Sequence, residues 1–263
     1  MKVIDTHAHV FTHSLPTAAQ ARYRPGYDAP LEEWMALQQA SGVTHGVLVQ
    51  PSFLGADNSF LLQALAAAPG RLRGVVVAHA AVSPVTFRVW DASGVRGIRL
   101  NLLGRSDFSE YTWPAWQELF EAVAECGWHV EVYCEGERIP ALLQALGDCA
   151  APLVFDHFGA PEPHRGADGA GVQALLARAA RHPVYVKVSG PYRMRGEDPK
   201  VWAGFWMREL GADRLMWGSD WPWTNNETRC SYAQARAWLD DWVPDEAARQ
   251  RVLWDTPAAL FGF

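Results

Sequence analysis

The sequence is poor in cysteine. Four thiols, Cys126, Cys134, Cys149 and Cys230, are scattered through 263 residues, and no two form a CxxC pair. That excludes a disulfide scaffold, a zinc knuckle and a thioredoxin-like redox site, and leaves the thiols as small apolar residues. Long hydrophobic runs are missing as well. Nothing approaches the roughly 18 apolar residues needed to cross a bilayer, and the opening Met-Lys-Val-Ile-Asp enters a strand without an apolar leader, so a soluble cytoplasmic protein is expected. Basic charge is in deficit: 23 Lys and Arg face 29 Asp and Glu, a net charge of -6. General nucleic-acid binding relies on basic surface and is therefore not expected. No low-complexity tract or internal boundary interrupts the chain, and no GxGxxG follows the first strand, which argues against a dinucleotide fold.

What is present favours a large core. Hydrophobic residues make up 49% of the chain and charged residues only 20%, enough to fold without staples. The length is close to the roughly 250 residues of a single (β/α)8 barrel. A short apolar run followed by a longer amphipathic one recurs along the sequence, with strands predicted at 3–5, 46–50, 73–78, 97–101, 129–134, 153–157, 184–189 and 214–219. Helical stretches fall near 31–41, 58–68, 113–126, 137–147, 169–182, 200–211 and 229–242, with a shorter, less regular stretch at 83–92. Strands that are apolar almost throughout suit a parallel sheet covered by helices. The pattern predicts an α/β chain folded as one (β/α)8 TIM barrel over residues 1–263. Asp57 or Asn58 is placed to cap the second helix and Pro114 to open the fourth. Gly42, Gly127 and Gly211 each follow a helical run. The loops 10–30, 158–168 and 190–199 follow strands one, six and seven, on the face where barrel enzymes work. The residues after 255 read as a closing cap packed by Leu260, Phe261 and Phe263.

Chemistry-bearing residues cluster at strand ends. His7 and His9, two apart beside Asp5, point to one side of a strand. An isolated His-x-His is more often structural, but His157 recurs at the same end of another strand. Asp220 leaves an apolar strand before Trp221-Pro222-Trp223, where a carboxylate must be solvated, paired or bound. Together His7, His9, His157 and Asp220 make either an activated-water site or a divalent metal site. Arg99 stands within an apolar strand, where a guanidinium needs an anion, either a substrate or a barrel carboxylate such as Glu131. Arg105, Arg193 and Arg195 lie in the following loops and suggest an acidic small molecule. Tyr23, Ser52 and Tyr133 are hydrogen-bonding candidates, and Trp221 and Trp223 are candidate pocket wall.

His-Ala-His at 7–9, Phe-Asp-His-Phe-Gly at 155–159 and Gly-Ser-Asp-Trp-Pro at 218–222 resemble the metal-dependent-hydrolase-like barrels of the amidohydrolase superfamily. Within it, the chain is similar to the branch of 2-pyrone-4,6-dicarboxylate lactonases and related sugar lactonases. Arg-Tyr-Arg-Pro at 22–25, Gln-Pro-Ser-Phe-Leu-Gly-Ala-Asp-Asn at 50–58 and Gly-Val-Arg-Gly-Ile-Arg-Leu-Asn at 94–101 carry the likeness along the chain. The resemblance implies a carboxylic-ester hydrolase of aromatic-compound degradation that opens a small acidic lactone without a required metal. Asp220 would activate water, while His7, His9 and His157 polarise the carbonyl. Arg99, Arg105, Arg193, Tyr23, Ser52 and Tyr133 would bind substrate, with Arg195 the alternative to Arg193.

Binuclear relatives use a strand-four lysine or glutamate and a strand-five histidine. Here Tyr133 stands on strand five, which argues against two metals and leaves a single divalent ion such as zinc, on His7, His9, His157 and Asp220, as an open choice. A sugar lactonase using one divalent metal, a decarboxylase or hydratase of an aromatic-pathway acid, and a non-catalytic acid-binding barrel are the alternatives. Metal-dependent carbon dioxide release would mark the decarboxylase. Tight acid binding without turnover would mark the silent barrel.

Overall fold

The structure, a computed structural model, describes residues 2–263. Eight parallel strands lie in sequence order: β1 (Ile4–Ala8), β2 (His45–Val49), β3 (Leu72–Val76), β4 (Val95–Asn101), β5 (His129–Tyr133), β6 (Leu153–Phe155), β7 (Val184–Val188) and β8 (Leu215–Trp217). Helices α1 (Leu31–Ala40), α2 (Ser59–Ala67), α3 (Pro84–Ala92), α4 (Pro114–Glu125), α5 (Ile139–Leu146), α6 (Ala170–Ala179), α7 (Pro199–Glu209) and α8 (Tyr232–Trp242) each follow one strand. This is the (β/α)8 barrel expected from the recurring pattern. The stretch at 83–92 forms an ordinary helix, capped by Ser83, whose hydroxyl accepts from Thr86 N, and opened by Pro84. Its irregular pattern comes from Val85 and Val89, which face solvent. Pro114 opens α4 as expected, and Gly42, Gly127 and Gly211 all adopt positive φ.

Asn58 occupies the N-cap of α2 but gives no side-chain capping bond. Its amide instead clasps the backbone past β3, donating to Val77 O and accepting from Val77 N, while Asp57 accepts from Ser59 N. All four cysteines are free. Among the described residues, no helix is long and apolar enough to cross a membrane.

Two features position the site. β8 meets β1 chiefly beyond its own end, through Thr6 Oγ1 to Trp217 O at 2.7 Å, Asp220 N to His7 O at 2.9 Å and His9 N to Trp221 O at 2.8 Å. At the opposite end of the barrel, two further helices, α9 (Glu246–Gln250) and α10 (Thr256–Phe261), bring Phe261 under the floor. There Phe261 packs with Ile4, Val47, Val49, Val75, Val154 and Met216, flanked by Leu260 and Phe263. Arg73 Nε donates to Phe261 O at 3.1 Å. Apolar burial at roughly 25 cal/mol per Å² therefore closes the floor, while backbone hydrogen bonds of His7, His9 and Asp220 close the ring at the mouth.

Candidate active site

Alternation along a strand sends residues two apart to the same side. Arg99 and Asn101 on β4, Glu131 and Tyr133 on β5, and Lys187 and Ser189 along and just past β7 thus form two inward tiers. In the lower tier Arg99 lies directly across from Glu131. His157 and Asp220 reach the upper tier differently. Both leave their strands in the left-handed region, at φ 50 and φ 58, which costs about 1–3 kcal/mol per non-glycine residue. That turn ends β6 and β8 earlier than the apolar runs predict and aims both side chains into the mouth. Gly190 makes room beside them. It sits at φ 53, and a Cβ there would lie 2.8 Å from His157 Nδ1 and 3.1 Å from Asp220 Oδ2.

A cavity of about 200 Å3 opens at the mouth, lined by His9, His157, Asp220, Arg99, Arg193, Tyr23, Ser52 and Tyr133 among others. His7 lies just behind, fully buried, with ring centroids 5.0 Å from His9 and 5.1 Å from His157. Arg105 lies outside the lining; its guanidinium turns away to Glu110 at 2.6 Å. Arg195 is likewise drawn off, to Glu137 and Pro161 O. Trp221 is buried in the core, and neither it nor Trp223 lines the cavity. Arg22 takes part instead. Its guanidinium donates to Leu103 O and to Asn101 Oδ1, two neutral oxygens, so its charge stays uncompensated at the mouth.

Asp220 is held by one oxygen. Oδ2 accepts from Arg193 Nε at 2.6 Å and from Tyr192 OH at 2.7 Å, whereas Oδ1 is buried without a hydrogen bond. That free oxygen faces His7 Nε2 at 3.8 Å and His157 Nε2 at 3.9 Å, and His7 Nε2 is equally unpartnered. Burial pushes the Asp220 carboxyl up, but the Arg193 guanidinium and the surrounding histidines outweigh it and hold the group well below the usual carboxylate range. Burial, then Arg99 for His9, pulls both His9 and His157 down to about 4. At neutral pH the site therefore contains an ionised carboxylate among neutral imidazoles. His9 Nδ1 lies 2.7 Å from Val49 O; a carbonyl can only accept, so Nδ1 carries the hydrogen and Nε2 keeps its lone pair.

Beneath lies a charged layer that joins Arg99 and Glu131, the pair the sequence suggests, to Lys187 and Asp156, which it did not single out. Lys187, fully buried on β7, contacts Glu131, His7 Nδ1 at 3.1 Å and Asp156 Oδ1 at 3.5 Å. Arg99 Nη2 meets Asp156 Oδ2 at 3.1 Å and Nε lies 3.6 Å from Glu131 Oε1. Two cations and two carboxylates thus balance without solvent, as buried charges require. A signal existed: Lys187 interrupts Val-Tyr-Val-Lys-Val as Arg99 interrupts its own strand. Asp5 was also more than a neighbour of the histidines. It accepts from Ser219 N and Oγ, Tyr232 OH and Trp34 Nε1, pinning β1 to the segment that carries Asp220.

His7, His157 and Asp220 offer one ligand atom each, all within 4.8 Å of one another, so the spacing would admit a cation. The chemistry of the donors fits one poorly. An ammonium already occupies the far nitrogen of His7, and Arg193 already neutralises Asp220. A divalent ion would enter between the buried Lys187 ammonium and the Arg193 guanidinium at the cavity wall.

The model of the amidohydrolase family matches residues 4–263. The chain is 30% identical over 278 residues to the 2-pyrone-4,6-dicarboxylate hydrolase of Comamonas testosteroni, covering 98% of this chain and 89% of that protein. It is 29% identical over 273 residues, with the same coverage, to the 4-sulfomuconolactone hydrolase of Rhizobium radiobacter. The crystal structure of a probable 2-pyrone-4,6-dicarboxylic acid hydrolase from Acinetobacter baumannii, with citric acid bound, superposes with a TM-score of 0.93 at 33% identity, covering 100% of both chains. The fold, the strand-end histidines and aspartate, and these likenesses agree: the chain belongs to the amidohydrolase family.

Proposed function

We propose that this chain is a lactone hydrolase acting on a small carboxylated lactone, foremost 2-pyrone-4,6-dicarboxylate, that works as one catalytic barrel and needs no metal for turnover. The observation that carries the reading is a buried carboxylate with one oxygen fixed and the other free, facing two imidazole nitrogens in a cavity lined by Arg22, Arg99 and Arg193. Arg99 and Arg193 already have carboxylate partners, and a neutral sugar would leave Arg22 nothing to neutralise. A dicarboxylate matches the fork geometry of these guanidinium groups, and a substrate acid drawing Arg193 toward itself would release Asp220 as a stronger base.

In this reading Asp220 Oδ1 takes a proton from a water beside the lactone carbonyl, and the lone pair on His9 Nε2 accepts the water's second hydrogen. The oxygen attacks the carbonyl carbon, and the charge that develops on the carbonyl oxygen is met by His7 and His157. The ring C–O bond then breaks and the departing ring oxygen takes the proton back from Asp220, so water is added across one ester bond. Arg22, Arg99 and Arg193 fix the acid groups, with Tyr23, Ser52 and Tyr133 along the cavity wall.

Loss of ultraviolet absorbance of 2-pyrone-4,6-dicarboxylate, measured with protein treated with chelator, tests the reading. Enzyme-dependent loss well above the spontaneous rate is expected. No loss from pH 6 to 9 would overturn that substrate. Opening of 4-sulfomuconolactone instead would keep the lactonase chemistry and replace a carboxylate by a sulfonate.

A further inference from the structure

His7 and His9 are two residues apart on one strand, yet the atoms behind them differ in kind. Behind His9 stands a carbonyl, Val49 O, which can only accept. Behind His7 stands the ammonium of Lys187, 3.1 Å from Nδ1, which can only donate. Asp156 Oδ1 at 3.2 Å and Glu131 Oε1 at 3.5 Å also approach Nδ1, but neither oxygen makes a hydrogen bond, so the ammonium is the partner of that nitrogen. The charge of Lys187 is held there by Glu131 and Asp156, with no solvent access to any of the three. Burial first, and Lys187 next, favour the uncharged His7 ring. An uncharged imidazole whose Nδ1 accepts has its single hydrogen on Nε2. That atom is the unpartnered one facing Asp220 Oδ1 and the space behind the cavity.

We infer that Lys187 is a positioning residue: it fixes His7 as the Nε2–H tautomer, making it a hydrogen-bond donor toward the reacting carbonyl and denying its lone pair to a divalent metal. The two first-strand histidines then hold opposite tautomers, one donating and one accepting, set by a lysine on β7 and a carbonyl on β2. The catalytic use of that donor rests on the lactonase reading; the tautomer itself does not. The same contact accounts for the poor fit of a cation between His7, His157 and Asp220, because a metal would have to displace the Nε2 hydrogen while an ammonium blocks its move to Nδ1.

The direct test is long-range 1H–15N correlation of protein labelled with 15N-histidine, assigned with His7→Gln and His9→Gln spectra. His7 is expected with its hydrogen on Nε2 and His9 with its hydrogen on Nδ1. A hydrogen on His7 Nδ1 would overturn the inference even if the pyrone is hydrolysed, and the expected tautomer would stand even if it is not.

A second experiment uses Lys187→Met combined with Glu131→Gln, which removes one charge of each sign from the buried layer. For protein whose circular dichroism matches wild type, His7 is expected to lose its preference for Nε2–H, and kcat to fall on the order of 10²-fold with little change in KM, the scale of one lost oxyanion donor. Zinc retained after dialysis should rise from a small fraction to near one per chain. An unchanged tautomer and unchanged zinc content in the folded double variant would reduce Lys187 to a structural residue. Should that variant not fold, the wild-type spectrum alone decides.

Discussion

The floor and the mouth of this barrel are built on the same strands and follow opposite rules. At the floor, Ile4, Val47, Val49, Val75, Val154 and Met216 close over Phe261, and the buried His129 imidazole packs edge-on against its ring. At the mouth, His157 and Asp220 adopt left-handed backbone, and His7 Nε2 and Asp220 Oδ1 are buried without hydrogen bonds. Between the two lies the layer of Lys187, Glu131, Asp156 and Arg99, charged but internally balanced. The contrast teaches that the floor supplies stability that the mouth gives up. Unpaired polar atoms and strained dihedrals are tolerated only where the rest of the structure over-determines them.

That division can be broken by experiment. Asp220→Asn should lower kcat by roughly 10²–10⁴-fold, as loss of a general base does, with thermal unfolding still cooperative; turnover near wild type would remove Asp220 from the chemistry. Gly190→Ala should cost on the order of 10²-fold, since the added Cβ must push His157 or Asp220 aside and displacements of about 1 Å carry that penalty; kinetics unaltered in that variant would mean the two side chains need not be so closely placed. Arg22→Met should raise KM for an acidic lactone by roughly tenfold, the worth of one charge-assisted hydrogen bond, and barely move kcat. Equal KM in variant and wild type would show that the charge at the mouth serves another purpose.

The floor should answer differently. Phe261→Ala should remove about 3–5 kcal/mol of stability, read by denaturant unfolding, with kcat/KM unchanged for the folded fraction. A proportional loss of activity would show that floor and mouth are coupled. Acid sharpens the same contrast. His9 and His157 titrate in the folded protein at about 4, below the ordinary 6.5, so the unfolded chain binds their protons first. The stability they contribute is complete above about 6.5 and is lost as pH falls from there toward 4. Unfolding midpoints flat across that window would mean these imidazoles are not held neutral.

The barrel was legible because its signals are local: apolar runs of strand length, glycines past helix ends and a proline at a helix start. Even His7, His9, His157 and Asp220 could be singled out by their place at strand ends. What could not be read was which partner each charge would find. Arg105 finds Glu110 only five residues on, whereas Arg195 finds Glu137 from a different loop. Arg22 reaches the cavity because its loop folds back to Leu103 and Asn101, 81 and 79 residues away in sequence. Lys187 was readable in principle, by the rule applied to Arg99, that a cation inside an apolar strand must have anions beside it. Its partner Glu131 lies two strands away on β5 and Asp156 just past the end of β6, so the rule predicts that company exists without naming it. The left-handed turns at His157 and Asp220 have no local signature, since neither is glycine.

The seam between the last strand and the first has a consequence for how this molecule fails. The hydrogen bonds that join the two edges past β8 belong to the backbones of His7, His9 and Asp220 themselves. The geometry of the candidate site and ring closure are therefore one object, and any fluctuation that unzips the seam dismantles both together. The amide hydrogens of His9 and Asp220 should accordingly exchange with deuterium in proportion to the fraction of molecules in which the seam is open, making two backbone protons a direct gauge of how often the candidate site is assembled.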